Sequence, residues 1–299
     1  MEHVAASLAG TAGGGGASGG GGGGMGGSGA SVETLIADSD SRDDTPAVAT
    51  KAFPGSGFLS CGNIGFGAAA NRAIAAARAP WILLCNPDLT FPTDFGQRLL
   101  GPLFAHLSRD AAPPKWLAAR AGCVAPRLVN ADGSPQASVG RFPTIGRIVR
   151  DQFRPRERRK YSFPQPALTW GDGQGGPIAW ASGACLLIHR ARCLSVGGFD
   201  ENYFLYVEEV DLQRRLYNAG HPTWFFPGAT VMHHQPNAGR PARPLVQCWS
   251  ARGTLRYFAK FGGVGSLFAY RMIAFAGGRL SATEAFARRE KILERSTGP

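Results

Sequence analysis

Hydrophobic positions along the chain fall into short continuous runs and longer segments with helical spacing. The runs that predict β-strands are Val32–Ala37, Trp81–Cys85, Cys123–Leu128, Ile178–Arg190, Thr223–Phe226 and Ala229–Met232. The segments that predict helices are 63–79, Phe95–Leu107, Leu205–Ala219, Gln247–Ala276 and Ala282–Glu294. Strands and helices alternate most clearly in the first half, so the pattern predicts an α/β fold on a mainly parallel sheet.

The distribution of glycine and cysteine predicts how the chain is divided into domains and in which cellular compartment it lies. Residues 1–30 are Gly-rich and predict a flexible, disordered segment, followed by an α/β domain over 31–245 and a helical extension over 246–299. The first 41 residues contain no Lys or Arg, so no signal peptide is expected. The six cysteines are scattered without a C-x-x-C pair, which predicts free thiols in a reducing, cytoplasmic setting.

The net charge of +11 is concentrated in part in Arg147–Lys160, which holds seven Lys or Arg. Such a run is compatible with a solvated surface, with contact to anionic membrane lipid or with a phosphate-bearing substrate. Nucleic acid is the least favoured partner, because no zinc finger, aromatic RNP motif or GXXG loop accompanies the charge.

Candidate chemistry begins at Asn86-Pro87-Asp88, directly after the apolar strand Trp81–Cys85. Ligands of open α/β sheets bind beyond the carboxyl ends of the strands. Oxygen ligands at that place are able to hold Mg²⁺ or Mn²⁺ against a diphosphate. An ordinary turn is the alternative for this tripeptide taken alone.

Carboxylates and histidines supply two further candidates. Glu208, Glu209 and Asp211 lie at the start of an amphipathic helix, with aromatic neighbours before them. Acidic residues in a first helical turn are also explained by the helix dipole, but a carboxylate against an apolar wall has a raised pKa and suits a general base. His233 and His234 follow a short strand, and one of them is placed to complete a metal site with Asp88.

In order and spacing these motifs resemble family 2 glycosyltransferases of the GT-A fold, especially the bacterial rhamnosyltransferase-like branch. The segments that carry the resemblance are ADSDSRDDT (37–45), NIGFGAAANRAI (63–74), WILLCNPDLTFP (81–92), GCVAPRLVNADGSPQASVGRFPT (122–144), WASGACLLIHR (180–190), GGFDENYFLYVEEVDLQRRLYNAGH (197–221) and ATVMHH (229–234). The resemblance implies a Rossmann-like α/β domain with a mixed, mainly parallel sheet flanked by helices.

The resemblance also implies a role for individual residues. The positions it implies for the nucleotide are Asp38, Asn63, Gly65, Phe66, Asn71, Asn86 and Asp88. The positions it implies for the metal are Asp88 and His233. It implies Glu209 as catalytic base, with Glu208 able to share that role and Asp211 in support.

The implied activity is a metal-dependent, inverting sugar transfer. The donor is a nucleotide-sugar, with dTDP-L-rhamnose first and UDP-sugars second, and the cofactor is Mg²⁺ or Mn²⁺. The acceptor is a glycan or a lipid-linked intermediate of cell-surface polysaccharide, reached from the cytoplasm or from the inner face of the membrane. A catalytically inactive relative that acts as a binding or scaffold subunit is the alternative.

The chain departs from the resembling family at its start. The family domain opens with a strand and a helix before the segment that matches Val32–Asp38, and we find no such strand in the sequence. His3–Leu8 is interpreted as the tail of the first helix, followed by a Gly-rich insertion. We therefore expect the sheet to lack its first strand.

Overall fold

A computed structural model describes residues 6–7, 32–107, 111–152, 175–234, 244–285 and 287–293. The strands are β1 (Ala6–Ser7), β2 (Glu33–Asp38), β3 (Gly57–Ser60), β4 (Trp81–Cys85), β5 (Leu89–Thr90), β6 (Cys123–Val129), β7 (Val139–Gly140), β8 (Gly176–Ile178), β9 (Trp180–Ala181), β10 (Cys185–His189) and β11 (Thr223–His233). The helices are α1 (Thr45–Ala52), α2 (Phe66–Ala76), α3 (Phe95–Leu107), α4 (Lys115–Ala118), α5 (Ile145–Gln152), α6 (Arg190–Ser195), α7 (Glu208–Asn218), α8 (Pro244–Phe261), α9 (Gly263–Ala276), α10 (Ala282–Ala285) and α11 (Arg289–Leu293).

The central sheet is mixed, with the order β4-β10-β6-β11-β5 and β8 paired to β11. β6 and β11 are parallel, whereas β10 runs antiparallel to both β4 and β6. A second sheet has the order β1-β2-β3, and its β2–β3 pair is parallel. The α/β class with a mixed sheet flanked by helices is thus confirmed, with more antiparallel pairing among the described strands than the apolar runs predict.

The central strands are apolar throughout because both faces of the sheet are covered. In β4, Trp81 and Leu83 face one hydrophobic cluster while Ile82 and Leu84 face another. Successive side chains of a strand point to opposite faces, so a strand covered on both sides reads as a continuous apolar run. The free thiols predicted from the sequence are confirmed, since all six cysteines are unpaired.

A third cluster joins α8, α9 and α10 to α7 and α5. Its members include Val210 of α7, Leu255 of α8 and Leu267 of α9, with Ile148 of α5 packed against them. The C-terminal helices start at Pro244, and the boundary predicted at residue 246 between two domains stays a prediction. In the part of the chain that the structure describes, no helix is long and apolar enough to cross a membrane.

Two strand predictions are wrong in detail. The run Ile178–Arg190 is divided into β9 and β10 by the turn at Ser182–Ala184. Thr223–Phe226 and Ala229–Met232 form the single strand β11, with a register irregularity between Phe226 and Thr230. A bulge of this kind keeps a strand continuous across residues that interrupt its pattern, here Pro227 and Gly228.

Helix boundaries also shift. The helix predicted from Leu205 begins at Glu208, because Tyr206 and Val207 are left-handed with φ of 70° and 74°. The segment Gln247–Ala276 is divided into α8 and α9 at Gly262. The spacing of apolar residues does not reveal these interruptions, because the residues before and after each interruption face the same core.

The amino-terminal predictions are tested at only two residues. Ala6 and Ser7 form β1, antiparallel to β2, with Ala6 opposite Thr34 and Ser7 opposite Glu33. β1 also lies beside β4. The interpretation of His3–Leu8 as helix is wrong at these two positions, and the rest of the segment 1–30 lies outside the described residues.

Candidate active site

Strand pairing brings Asp88 next to His233. β4 ends at Cys85, the chain passes through Asn86 and Asp88, and β5 then pairs with the end of β11, placing Leu89 opposite His233. The Asp88 Oδ1 lies 3.2 Å from the His233 Nε2. The hydrogen bond with this imidazole lowers the pKa of the Asp88 carboxyl, so Asp88 is an anion near neutral pH.

Gln136 fixes the orientation of the His233 ring. Its side-chain Nε2 donates to the His233 carbonyl at 2.6 Å, and its Oε1 lies 3.0 Å from the His233 Nδ1. Because an amide oxygen only accepts, Nδ1 carries the proton in this arrangement. With Nδ1 held as a donor, the ring hydrogen-bonds the Asp88 carboxylate only when Nε2 also carries a proton, and the neutral ring presents its Nε2 lone pair beside Asp88, as a metal-binding histidine does when a partner behind it selects its tautomer.

The residues at this position fit a divalent cation. Asn86 Oδ1 is buried and has no hydrogen-bond partner among the described residues, which leaves an oxygen ligand beside Asp88. Carboxylate, amide oxygen and imidazole are all ligands for Mn²⁺, and the first two suit Mg²⁺. The described residues contain no group of three or more His, Cys, Asp or Glu arranged for a metal, so substrate oxygens would complete the coordination.

His234 is turned away from this pair. Its Nε2 lies 2.7 Å from the Thr90 hydroxyl, and its backbone N–H donates to the Asp88 carbonyl. Alternation along β11 points the two rings to opposite sides, which is why only His233 reaches Asp88.

Gln136→Ala is expected to weaken the affinity for Mn²⁺ in the presence of a nucleoside diphosphate about 10- to 100-fold, because the His233 ring loses its orienting partner. Calorimetric titration of Mn²⁺ into the protein with the nucleotide bound measures this. Thr90→Ala is the matched control, since it removes the partner of His234 only. An unchanged Mn²⁺ affinity in Gln136→Ala would contradict the role assigned to Gln136.

Two carboxylates lie together at the start of α7. Glu208 is 4% exposed and Glu209 is half-buried, and one oxygen of each has no hydrogen-bond partner among the described residues. Burial raises the pKa of both groups, and the charge of Glu209 raises the pKa of Glu208 further. They form the first turn of α7 and directly follow Tyr206 and Val207, whose left-handed conformation is unfavourable for the β-branched Val207 and common at functional sites.

The loop Ser182–Ala184 connects the carboxylate pair to the Asp88 site. A methyl group on Gly183 would lie 3.5 Å from the Glu209 Cβ, so Glu209 stands directly against this loop. One residue further on, the Ala184 carbonyl accepts a hydrogen bond from the Asn86 N–H at 2.9 Å. Glu209 and the Asn86–Asp88 segment therefore border the same short loop.

Gln213 positions α7 against β9. Its Nε2 donates to the carbonyls of Ala181 and Glu209, and its Oε1 accepts from the Ala181 N–H and the Thr223 hydroxyl. The side chain is fully buried, and each of its polar atoms makes two hydrogen bonds. This one residue therefore fixes the position of Glu209 relative to the loop that follows β9.

Gln213→Ala is expected to reduce the free energy of unfolding by about 3 kcal/mol or more, since several buried backbone and hydroxyl groups lose their partners at about 1–3 kcal/mol each. Urea unfolding followed by circular dichroism measures the change. Gln97→Ala, on the exposed side of α3, is the control and should change stability by less than about 0.5 kcal/mol. Equal stability of the two variants would refute this role of Gln213.

Asp211 does not share the environment of the two glutamates. Its carboxylate is fully buried, accepts from the Tyr203 hydroxyl at 3.1 Å and from Arg215 at 2.6 Å, and pairs with Lys260. All of its charge is matched inside the protein, so no oxygen is open to an acceptor. These contacts let Asp211 hold the segment before α7 in place, and its supporting role at the site stays a prediction.

Lys260 extends this network to Asp200. It lies 2.8 Å from Asp200, which also accepts from Arg256 at 2.7 Å. Burial would raise the pKa of Asp200, but hydrogen bonds from Lys260, Asn202 and Arg256 hold the pKa well below its usual range. The segment 199–207 is thus anchored to α8 by ion pairs at low exposure, where they are strong.

Within the predicted nucleotide segment, three residues serve the fold. Asn71 bonds the backbone N–H and carbonyl of Phe199 and also Glu201, so its amide is fully used. Phe66 is buried against Phe199 with ring centroids 5.9 Å apart. Gly65 has φ of 91°, and a methyl group there would lie 2.4 Å from the Phe204 carbonyl oxygen. The Asn71 amide is thus engaged within the fold, and the contact of these residues with a nucleotide stays a prediction.

Asn63 and Asp38 differ in exposure, since Asp38 is only 7% exposed. Asn63 is exposed at the turn before α2. Asp38 ends β2 and accepts from the Ser41 backbone N–H and hydroxyl, which folds the loop after the strand. Their contact with a nucleotide stays a prediction.

A cavity of about 270 Å³ lies between the segment before α7 and the C-terminal helices. Its apolar lining includes Phe204 and Trp249, whose ring centroids are 4.4 Å apart. Its polar lining includes Arg252 and Lys291. Since Leu205 also lines it and is three residues from Glu208, the cavity is within about 11 Å of the glutamate backbone.

Fold and site together define an α/β transferase, with an Asp–His pair at a strand end and a buried carboxylate pair across one loop. The family model described as Glycosyl transferase family 2 matches residues 28–112. The N-acetylglucosaminyl-diphospho-decaprenol L-rhamnosyltransferase of Mycobacterium tuberculosis is 36% identical over 233 residues, covering 72% of this chain and 71% of that protein. The chain therefore belongs to glycosyl transferase family 2 and is a glycosyltransferase of its rhamnosyltransferase-like branch.

Two further relatives agree with this assignment. Rhamnosyltransferase WbbL of Escherichia coli is 30% identical over 83 residues, or 28% of this chain and 31% of that protein. The crystal structure of GalNAc-T7 with UDP, GalNAc and Mn²⁺ superposes with a TM-score of 0.51 at 14% identity, over 87% of this chain and 48% of that chain. The chain thus spans about half of that solved structure, which shows the fold.

Proposed function

We propose that this chain transfers a sugar, with L-rhamnose from dTDP-L-rhamnose as the first candidate, from a nucleotide-sugar to a lipid-linked acceptor. The observation that carries the proposal is that Glu209 and the Asn86–Asp88 segment both border the loop Ser182–Ala184. Glu209 offers a base for the incoming hydroxyl, and the Asn86–Asp88 segment offers ligands for the departing diphosphate.

In this mechanism Glu209 accepts the proton of an acceptor hydroxyl while that oxygen attacks the anomeric carbon of the donor sugar. The bond to the diphosphate breaks at the same time, and the nucleoside diphosphate leaves with the bonding electrons. A single displacement of this kind inverts the anomeric centre. The raised pKa of the buried pair makes Glu209 a stronger base than an exposed carboxylate.

Asp88, His233 and Asn86 are the residues proposed to hold Mg²⁺ or Mn²⁺. When bound there, the cation supplies positive charge that stabilises the leaving diphosphate. Asp88 contributes its negative charge, and Gln136 keeps the Nε2 of His233 available. Asp38 and Asn63 are proposed to contact the nucleoside.

The choice of substrates follows from the relative rather than from the geometry. The M. tuberculosis protein acts, by its name, on N-acetylglucosaminyl-diphospho-decaprenol and transfers L-rhamnose. By this likeness we propose a diphospho-lipid acceptor of cell-wall polysaccharide, met from the cytoplasmic side of the membrane. The apolar and cationic lining of the cavity before α7 is compatible with such an acceptor.

A thermal-shift experiment with dTDP, UDP and GDP, each with and without Mn²⁺, tests the proposal. A ligand at a hundred times its Kd stabilises the folded state by about 2.7 kcal/mol, which gives a clear shift in Tm. We expect a Mn²⁺-dependent shift with dTDP. A shift with UDP alone would indicate that the donor is a UDP-sugar. The absence of any shift, in a chain that still melts cooperatively, would indicate that the protein is a catalytically inactive relative.

A further inference from the structure

One side of α9 carries large apolar side chains that face solvent. Val264, Phe268, Met272 and Phe275 are 83%, 57%, 44% and 45% exposed. Their spacing of four, four and three residues aligns them along one side of the helix. We call these four side chains the apolar face of α9.

The other side of α9 is apolar too, and it is already used. Leu267, Tyr270 and Ala274 are buried in the cluster shared with α8. A surface helix of a soluble protein normally alternates an apolar side with a polar one, whereas a helix apolar on both sides is covered on both. The apolar face of α9 therefore requires a partner of its own.

Cations surround this face. Arg271 precedes Met272 on the helix, and Arg279 follows its carboxyl end. α5 packs against α9 and carries the exposed Arg150. After residue 243 the sequence has nine Lys or Arg and three Glu, and one of those, Glu284, is paired with Arg252.

We propose that the apolar face of α9 docks onto the surface of an anionic lipid bilayer. The positive charge decides between the candidate partners: a second copy of this chain would bring like charges together, while anionic headgroups neutralise them. This inference deepens the proposed function, since it names the surface on which a lipid-linked acceptor is met.

The dimensions favour a helix lying in the plane of the membrane. α9 has 14 residues and is about 21 Å long, shorter than the roughly 30 Å hydrocarbon core of a bilayer. An interfacial helix buries its apolar side among the outer acyl segments while basic residues reach the phosphates. Arg150, exposed on the neighbouring α5, is proposed to make that contact, whereas the Arg271 guanidinium donates to the Ala287 carbonyl within the protein.

Co-sedimentation of the full chain with vesicles tests the proposal. Vesicles of phosphatidylcholine with one third phosphatidylglycerol are compared with pure phosphatidylcholine, at low salt and at 0.5 M salt. We expect binding to the anionic vesicles that weakens at high salt. Phe268→Ser/Met272→Ser should bind at least about tenfold less than the wild type with an unchanged Tm.

Val48→Ser/Phe53→Ser is the matched control, because it removes two similarly exposed apolar side chains, that of Val48 in α1 and that of Phe53 directly after it. It should bind vesicles like the wild type. Equal binding by the α9 variant, or no binding by the wild type, would overturn the proposal. So would a concentration-dependent dimer, seen by sedimentation velocity, that the α9 substitutions dissociate.

The vesicle assay contains no nucleotide or sugar, so its result is independent of the proposed transfer. A water-soluble acceptor with a short alkyl chain separates the two further. The α9 variant should keep its turnover on this acceptor while losing vesicle binding. Absence of turnover by the wild type with every donor would reject the proposed function and leave the docking result standing.

Discussion

Glu209→Gln is expected to reduce the turnover of sugar transfer by about 10²- to 10⁴-fold while the affinity for the donor nucleotide stays unchanged. The amide is nearly the same size as the carboxyl but does not accept the acceptor's proton. The proposed donor ligands at Asn86–Asp88 meet this loop through the Ala184 carbonyl rather than at Gly183, so we expect them to be undisturbed. Turnover is measured with labelled donor, and nucleotide affinity by thermal shift.

Glu208→Gln is the comparison that this prediction needs. Glu208 is 4% exposed and packs toward α2, where a methyl group on Gly67 would lie 3.6 Å from its Cβ. We expect this variant to keep turnover within about tenfold of the wild type, a loss smaller than general-base removal gives. If Glu208→Gln is inactive and Glu209→Gln is active, the base is one residue earlier.

The pH profile supplies an independent check on the same assignment. Burial raises the pKa of Glu209 above the usual range of a glutamate. A base must be ionised, so the rate is constant above the raised pKa and falls as pH decreases through it. In Glu209→Gln this acid limb should disappear. Because the two glutamates interact, the limb reports an apparent pKa of the pair.

The sequence predicts this fold well where the chain gives local and uninterrupted signals. Trp81–Cys85 is apolar at every position because both faces of its strand are buried, and it therefore reads as a central strand. The prediction that Asp88 lies in a binding site follows from that strand, because ligands of α/β sheets bind beyond the carboxyl ends of the strands. Both inferences depend only on residues that are close to one another in the sequence.

Residues whose partners are distant in the chain could not be recognised in the same way. Gln136 contacts His233 across 97 residues, and nothing around it in the sequence suggests a buried amide. Gln213 gives a weak signal, because it is a polar residue beside Leu212 and Leu216 on the buried side of α7. Asn71 likewise has a distant partner, since its amide bonds the turn at Phe199, 128 residues further along the chain.

The residue at which α7 starts could not be predicted from the hydrophobic spacing either. Leu205, Tyr206 and Val207 continue the apolar spacing of the helix, yet two of them adopt left-handed backbone conformations. The segment is held by Asp211 and Asp200 through cations of α8, which lie far along the chain. Tertiary contacts therefore override the local preference at the place where the catalytic carboxylates are presented.

Asp88→Ala is expected to abolish the Mn²⁺-dependent part of nucleotide binding and to reduce transfer by at least about 10²-fold, because a metal at the leaving group supplies several kcal/mol of transition-state stabilisation. The substitution also removes the partner of the His233 Nε2, 3.2 Å away. Thermal shift with dTDP and Mn²⁺ measures the first effect, and transfer of labelled sugar measures the second.

His234→Ala is the matched control for the metal site, since His234 adjoins His233 but bonds Thr90 instead of Asp88. It should keep the Mn²⁺-dependent shift. Asp88→Asn separates charge from shape: it keeps an oxygen ligand but loses the negative charge that the lowered pKa maintains near neutral pH. We expect weaker Mn²⁺ binding than in the wild type. Full transfer activity in Asp88→Ala would show that the diphosphate is stabilised by other residues.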